Sequence, residues 1–191
     1  MAGILAIKKL ISDYSFTTVL DIGCGEGRSK RIFEDSGKLV TAIDIQPKLK
    51  DIIVDDYMKW APDNQFDCIW CCHVLEHQLN VNLFLKKVHN ELKEGGVLAI
   101  SVPPMKHQIV GGHVSIWNAG LLLYNLVMAG FDCIEPAIKT YGYNVSVIIR
   151  KKTIELPDNL DYDVGDLEKL STFFPPFVKQ NFNGNIQEYN W

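Results

Sequence analysis

Apolar residues fall into short runs along the first 150 positions, separated by polar turns and by segments whose apolar positions repeat at helical spacing. Thr17 to Ile22, Leu39 to Ile43, Asp51 to Val54, Phe66 to Cys72 and Val97 to Val102 read as buried strands, the last halted by Pro103-Pro104. Gly3 to Ser12 carries Ile4, Leu5, Ile7, Leu10 and Ile11 on one helical side, a helix expected to cap the sheet edge or cover a ligand. Helices are also predicted from Arg28 to Ser36, with Gly37 as the stop, from Val81 to Leu92, ended by Glu94-Gly95-Gly96, and from Ile116 to Ala129, with Gly130 as the cap. Phe131 to Ile138 and Tyr143 to Arg150 read as two more strands joined at Tyr141-Gly142. A gap that short permits only a hairpin, so the final strand must run antiparallel. The alternation predicts an α/β fold: a mostly parallel seven-stranded sheet with a final antiparallel strand and helices on both faces.

Residues 1–152 form the expected domain, and 153–191 change character, being rich in Pro, Asn, Asp and aromatics, with one turn of helix expected at Val164 to Leu170. Phe173, Phe174, Phe177, Phe182, Tyr189 and Trp191 make this tail too apolar for a free disordered segment. It is expected to pack on the body, close over a site, or lie in an interface within a homo-oligomer. The length of 191 residues suits one domain with one proper core.

A formal charge of −4 disfavours nucleic acid as a partner, and the lysines are scattered enough to read as a solvated surface. Five cysteines form no zinc-ribbon or redox pattern, because Cys68 and Cys71 stand at C-x-x-C spacing only by count, inside a buried strand. Met1 to Leu10 lacks the order of charges of a secretory signal, and no apolar run is long enough to span a bilayer. These features point to a reducing, cytoplasmic setting.

Candidate chemistry begins at the end of the first strand, in Asp21-Ile22-Gly23-Cys24-Gly25-Glu26-Gly27, with a second acid, Asp44, closing the next strand. Glycine lets main chain approach a ligand, and the helix that follows aims its N–H groups and positive dipole end at the same space. The dinucleotide fingerprint G-x-G-x-x-G fails, because its third glycine falls on Arg28, and no Gly-Lys-Ser/Thr follows for a P-loop. Asp-x-Gly-x-Gly-x-Gly with an acid ending the second strand resembles the class I S-adenosylmethionine-dependent methyltransferases, over about Thr17 to Arg150.

The resemblance implies a Rossmann-like methyltransferase fold and S-adenosyl-L-methionine as cofactor. It implies that Gly23, Cys24, Gly25 and Gly27 pack under the methionine part, with Asp21 orienting the turn or reaching the amine through water. Asp44, beside Ile45, would take both ribose hydroxyls; Asp55, or its neighbour Asp56, would bond the adenine amino group, with Tyr57 flanking the ring. Cys72-His73-Val74-Leu75-Glu76-His77 resembles the V-L-E-H turn of ubiquinone-biosynthesis methyltransferases, where the position of His73 lines the methionine end and the acceptor pocket. In some relatives, including ubiquinone O-methyltransferases and small-RNA 2′-O-methyltransferases, the pattern is E-x-x-E-H and binds a divalent metal with a later histidine. Here His73 replaces the first acid, and His113 follows the fifth strand.

No metal is expected; the alternative is a set of His73, Glu76, His77 and His113, which would suit zinc, iron or manganese better than magnesium. Without a metal, His73, His77 or His113 could serve as general base near neutral pH. The Asn/Asp-Pro-Pro-Tyr/Phe motif of amino-methylating enzymes is absent from the end of the fourth strand, which disfavours base N-methylation. The expected activity is therefore methyl transfer to an oxygen of a small molecule or a glycan sugar. The alternatives are RNA or protein as acceptor, or a non-catalytic subunit that binds the cofactor.

Overall fold

The computed structural model describes residues 2–46 and 48–191; Met1 of the expected domain lies outside them. The chain forms α1 (Ile4–Asp13), β1 (Thr18–Ile22), α2 (Arg28–Asp35), β2 (Leu39–Asp44), β3 (Ile53–Val54), β4 (Phe66–Cys72), α3 (Val81–Glu91), β5 (Leu92–Val102), α4 (Ala119–Met128), β6 (Ala137–Tyr141), β7 (Asn144–Arg150), α5 (Asp166–Leu170) and β8 (Glu188–Tyr189). The sheet order is β3-β2-β1-β4-β5-β7-β6-β8. β1 pairs in parallel with β2 and β4, and β4 with β5, whereas β7 is antiparallel to both β5 and β6.

Alternation along the strands sends side chains to two cores. On β4, Cys68 and Trp70 join α1 and α2 through Ala6, Ile7, Leu10 and Phe33, while Ile69 and Cys71 face the helices of the opposite side. There Phe84, Leu85 and Val88 of α3 meet Leu122, Leu123 and Leu126 of α4. The period of two in the strands and of about 3.6 in the helices is what lets one sequence cover both faces.

The structure departs from the sequence expectation at several places, one being β5, which starts at Leu92 rather than Val97 and takes in Glu94-Gly95-Gly96, expected to end the helix before it. The sheet has eight strands rather than seven, because Glu188–Tyr189 of the tail adds to the outer edge of β6. β6 starts at Ala137, not Phe131: Phe131 makes an isolated bridge to Thr153, and Cys133 donates its N–H to Phe173. The residues before Ala137 are thus anchored to the tail rather than to the sheet. α4 starts at Ala119, because Asn118 caps it by accepting the Leu121 N–H on its side chain, and the preceding residues form a loop. In the tail, Leu170, Phe174 and Val178 are buried within the α3–α4 core, and Trp191 packs beside α1.

Candidate functional site

The crevice lies at the carboxyl ends of β1, β2 and β4, where ligands bind in open α/β sheets. Gly23, Gly25 and Gly27 all take positive φ, at 71°, 53° and 67°. A Cβ on Gly23 would stand 2.2 Å from Val74 Cγ2, whereas one on Gly25 would meet nothing within 4 Å. The turn is bolted to β2 by the Gly23 and Cys24 N–H groups, both donating to the Ile43 carbonyl. Gly27 caps α2 in the left-handed conformation.

Two openings share Gly23. One, of about 240 Å³, is lined by Asp44, Ile45, Asp55, Asp56, Tyr57, His73, Val74 and His77, among others. The second, of about 300 Å³, is lined by Ala2, Cys24, Arg28, Ser29, Trp70 and Cys72, among others. Of the sequence-derived residues, Gly23, Cys24, Asp44, Ile45, Asp55, Asp56, Tyr57, His73 and His77 line these openings, whereas Asp21, Gly25, Gly27, Glu76 and His113 lie outside both linings. Asp44 takes the Gly25 N–H on Oδ2 and the Gln46 N–H on Oδ1, each at 2.8 Å. Each oxygen keeps a further lone pair, so this carboxylate can still accept two adjacent hydroxyls. Asp55 and Asp56 sit beyond it, Asp56 accepting the Met58 N–H. Tyr57 presents its ring and buries its hydroxyl, which donates to Glu91 at 2.7 Å.

Asp21 is buried beneath the turn. Its Oδ2 accepts the Ser29 hydroxyl at 2.8 Å, and its Oδ1 has no partner. Burial pushes its carboxyl up to about 7, against the hydrogen bonds from Ser29 and the Lys30 backbone, with the nearby Asp44 charge adding to the rise.

Past β4, His73 adopts φ 57°, an uncommon conformation for a side-chain-bearing residue that marks functional positions. Its Nε2 lies 3.1 Å from Asn144 Oδ1, an oxygen that also accepts the Gly3 N–H, while the Asn144 amide donates to Tyr141 O. Its Nδ1 is 3.4 Å from Glu76 Oε1. Burial depresses its pKa, but the contacts with Glu76 and Asn144 outweigh that and raise it above the usual value. Glu76 is fully buried with neither carboxylate oxygen hydrogen-bonded. His77 turns Nδ1 to the Gly112 carbonyl at 2.8 Å and Nε2 toward Glu76 Oε1 at 3.8 Å. His113 closes the group: one ligand atom each from Glu76, His77 and His113 lie within 4.8 Å of one another. The loop bearing His113 is held down by the Val114 and Ser115 N–H groups, both donating to Glu76 O.

Sequence reasoning missed Ser29 and Asn144. Ser29 follows Asp21 by eight positions, at the start of the helix after the turn, and could have been suspected there. Asn144 stands 71 positions from His73 and gives no local signal.

The family profile described as "Methyltransferase domain" matches residues 5–124. The chain belongs to the methyltransferase-domain family. Across 100 residues this methyltransferase domain is 35% identical to the 2-methyl-6-phytyl-1,4-hydroquinone methyltransferase of Synechocystis sp., covering 44% of the chain and 31% of that relative. It is 33% identical over 103 residues to the ubiquinone biosynthesis O-methyltransferase of Glaesserella parasuis, covering 44% of each. The chain thus spans less than half the length of these two relatives. The 1,6-didemethyltoxoflavin-N1-methyltransferase of Burkholderia thailandensis, solved with its acceptor and S-adenosylhomocysteine, superposes with a TM-score of 0.61 at 21% identity. The match covers 72% of this chain and 71% of that one, and shows a shared fold.

Proposed function

We propose that this methyltransferase domain binds S-adenosyl-L-methionine and transfers its methyl group to an oxygen of a small-molecule acceptor. The observation that carries the reading is the joint placement of the positive-φ glycine turn and the Asp44 carboxylate on one crevice, with lone pairs free on both oxygens. The main chain at Gly23 would lie against the methionine arm, Asp44 would accept the ribose diol, and Asp55 and Asp56 would face the adenine. The cofactor brings an activated methyl on a good leaving group. What is asked of the protein is alignment and exclusion of water.

His73, with Nε2 committed to Asn144 Oδ1, would act as a fixed wall beside the acceptor rather than as the group that takes its proton. The hydroxyl proton of the acceptor would go to the cluster of Glu76, His77 and His113. An aromatic hydroxyl compound with an apolar body suits the mouth better than a glycan sugar. Leu79, 85% exposed, follows the crevice-lining Gln78 in sequence, and Ile109, 86% exposed, and Val114 belong to the loop that carries His113. The relatives named for hydroquinone and ubiquinone biosynthesis support the same class. Five cysteines free of disulfides fit a cytoplasmic setting, and no helix of the described residues is long and apolar enough to cross a membrane.

Titration calorimetry with S-adenosylmethionine and S-adenosylhomocysteine tests the reading. Both should bind, and Asp44→Ala should weaken binding by about 2 kcal/mol, close to 30-fold, for lost hydrogen bonds to a charged group. Unchanged affinity in a folded Asp44→Ala protein overturns the ribose assignment. Labelled methyl that never leaves the cofactor in a screen of phenolic acceptors overturns catalysis.

A further inference from the structure

Tyr57 lines the crevice, yet its hydroxyl reaches α3, and what meets it there is charged. The phenol donates to Glu91 Oε2 at 2.7 Å, and Glu91 Oε1 takes the Lys87 ammonium. Phe84, Lys87 and Glu91 stand at i, i+3 and i+7, so one face of α3 meets the residue that follows Asp55-Asp56. Phe84 sets its ring edge-on to that of Tyr57, with centroids 5.2 Å apart. Lys87 Nζ lies 4.9 Å from the centre of the Tyr57 ring and donates to Trp60 O at 2.7 Å. The segment between is a turn, the Lys59 and Trp60 N–H groups both donating to Asp56 O. α3 therefore grips this turn at two points, the Tyr57 hydroxyl and the Trp60 carbonyl.

Space filling alone does not ask for such an arrangement. Glu91 is 8% exposed, and taking a carboxylate and a phenol from water costs free energy that phenylalanine against leucine would not. Burial, and then the Glu91 charge, hold the phenol far above its usual pKa, so it remains a donor. What the charged pair adds is a fixed direction. A ring on a loop is held in one place by a hydrogen bond at its far end.

We propose that Glu91, which is not in the crevice lining, is a positioning residue for the cofactor: through the Tyr57 hydroxyl it sets the aromatic wall beside which the adenine ring lies. Lys87 holds Glu91 in its turn. This role rests on S-adenosylmethionine being the ligand, and it adds a residue from α3 that no sequence motif marks.

The test is titration calorimetry with S-adenosylhomocysteine and with methylthioadenosine, which keeps adenine and ribose but lacks the amino-acid arm. Tyr57→Phe keeps the ring and removes only its anchor; Glu91→Leu removes the anchor from the other side. Each should weaken S-adenosylhomocysteine by about tenfold, within what stacking of a base on an aromatic ring contributes, and methylthioadenosine by the same factor. The double variant should fall no more than about twofold below either single one, because both act on one hydrogen bond. Glu91→Gln still offers the phenol an oxygen and should stay within about threefold of the parent. Urea midpoints and circular dichroism check that each variant folds, and Tyr57→Phe, the mildest, carries the test if Glu91→Leu does not.

A pair that serves stability alone would lower the urea midpoint of folded Tyr57→Phe and leave its affinities at the parent values, which overturns the proposal. So does a loss in Glu91→Leu that adds in full to that of Tyr57→Phe, or one felt by S-adenosylhomocysteine and not by methylthioadenosine. In each of those cases the parent still binds, and the methyl-transfer reading stands. A parent that binds neither compound takes down both.

Discussion

The turn after β1 presents main chain to the crevice, while the segment after β4 presents side chains, and the two depend on the rest of the fold to different degrees. Gly23 and Cys24 need only the neighbouring strand, through the Ile43 carbonyl, and Gly27 closes onto Cys24 O. Past β4, His73 is placed by Asn144, 71 positions away, and His77 by Gly112, 35 positions away. One wall is fixed by local conformation, the other by partners that only the complete fold delivers. The first can be broken by adding a single carbon; the second is broken by removing a distant partner.

Gly23→Ala carries the largest expected effect. Its backbone is left-handed and its Cβ would stand 2.2 Å from Val74 Cγ2, the side chain that follows His73. The conformational cost and the overlap together come to about 3 kcal/mol. Gly25→Ala shares the positive φ but has open space, so its cost should be about 1 kcal/mol. Denaturant midpoints of the two variants decide the matter. Equal losses would mean that the two walls do not press on each other at Gly23.

Asp21 sharpens the contrast, because it belongs to the local wall yet carries an uncompensated cost. Burial lifts its carboxyl from 3.8 to about 7 in the folded protein, so the fold holds more protons than the unfolded chain between those limits. Stability from this group is therefore greatest at acid pH, falls as pH rises through that window, and levels off above about 7. Between pH 5 and pH 7 the loss is about 2 kcal/mol. Asp21→Asn should flatten that part of the profile, read as the difference between parent and variant in urea at each pH, so that histidine titrations cancel. An identical slope in the variant would remove Asp21 as its source.

The same division explains what could be read in advance. The strand–turn–helix order, the glycine turn and Asp44 were legible because each is a short-range pattern: period-two runs, positive-φ glycines, an acid at a strand end. His73, Glu76, His77 and His113 were legible as residue types, but not the exclusion of His73 from the group, which depends on an asparagine at the start of β7. The eighth strand was illegible for a similar reason. Glu188–Tyr189 is two residues long, with no alternation to detect, and becomes a strand only because β6 offers an open edge.

Asn144 gives the subtlest test, since it ties the second wall to the chain's first helix. Its Oδ1 accepts the Gly3 N–H at 3.0 Å and faces His73 Nε2 at 3.1 Å, so one amide oxygen holds both the entry to α1 and the ring past β4. Asn144→Ala leaves two donors without an acceptor, and only His73 has partial access to water. The expected cost is about 1 kcal/mol, at the low end for an unsatisfied buried donor, because the ring can recruit water. Global stability alone cannot separate this from a generic packing loss, but hydrogen exchange can. Loss of the Gly3 anchor should speed exchange in the first turn of α1, whose Ile7 N–H bonds Gly3 O, and leave α4, on the opposite face, near the parent rate. If protection falls equally in α1 and α4, Asn144 is only one more buried side chain. If it falls in α1 alone, the histidine wall and the N-terminal helix are a single mechanical unit, and the comparison with the self-sufficient glycine turn holds.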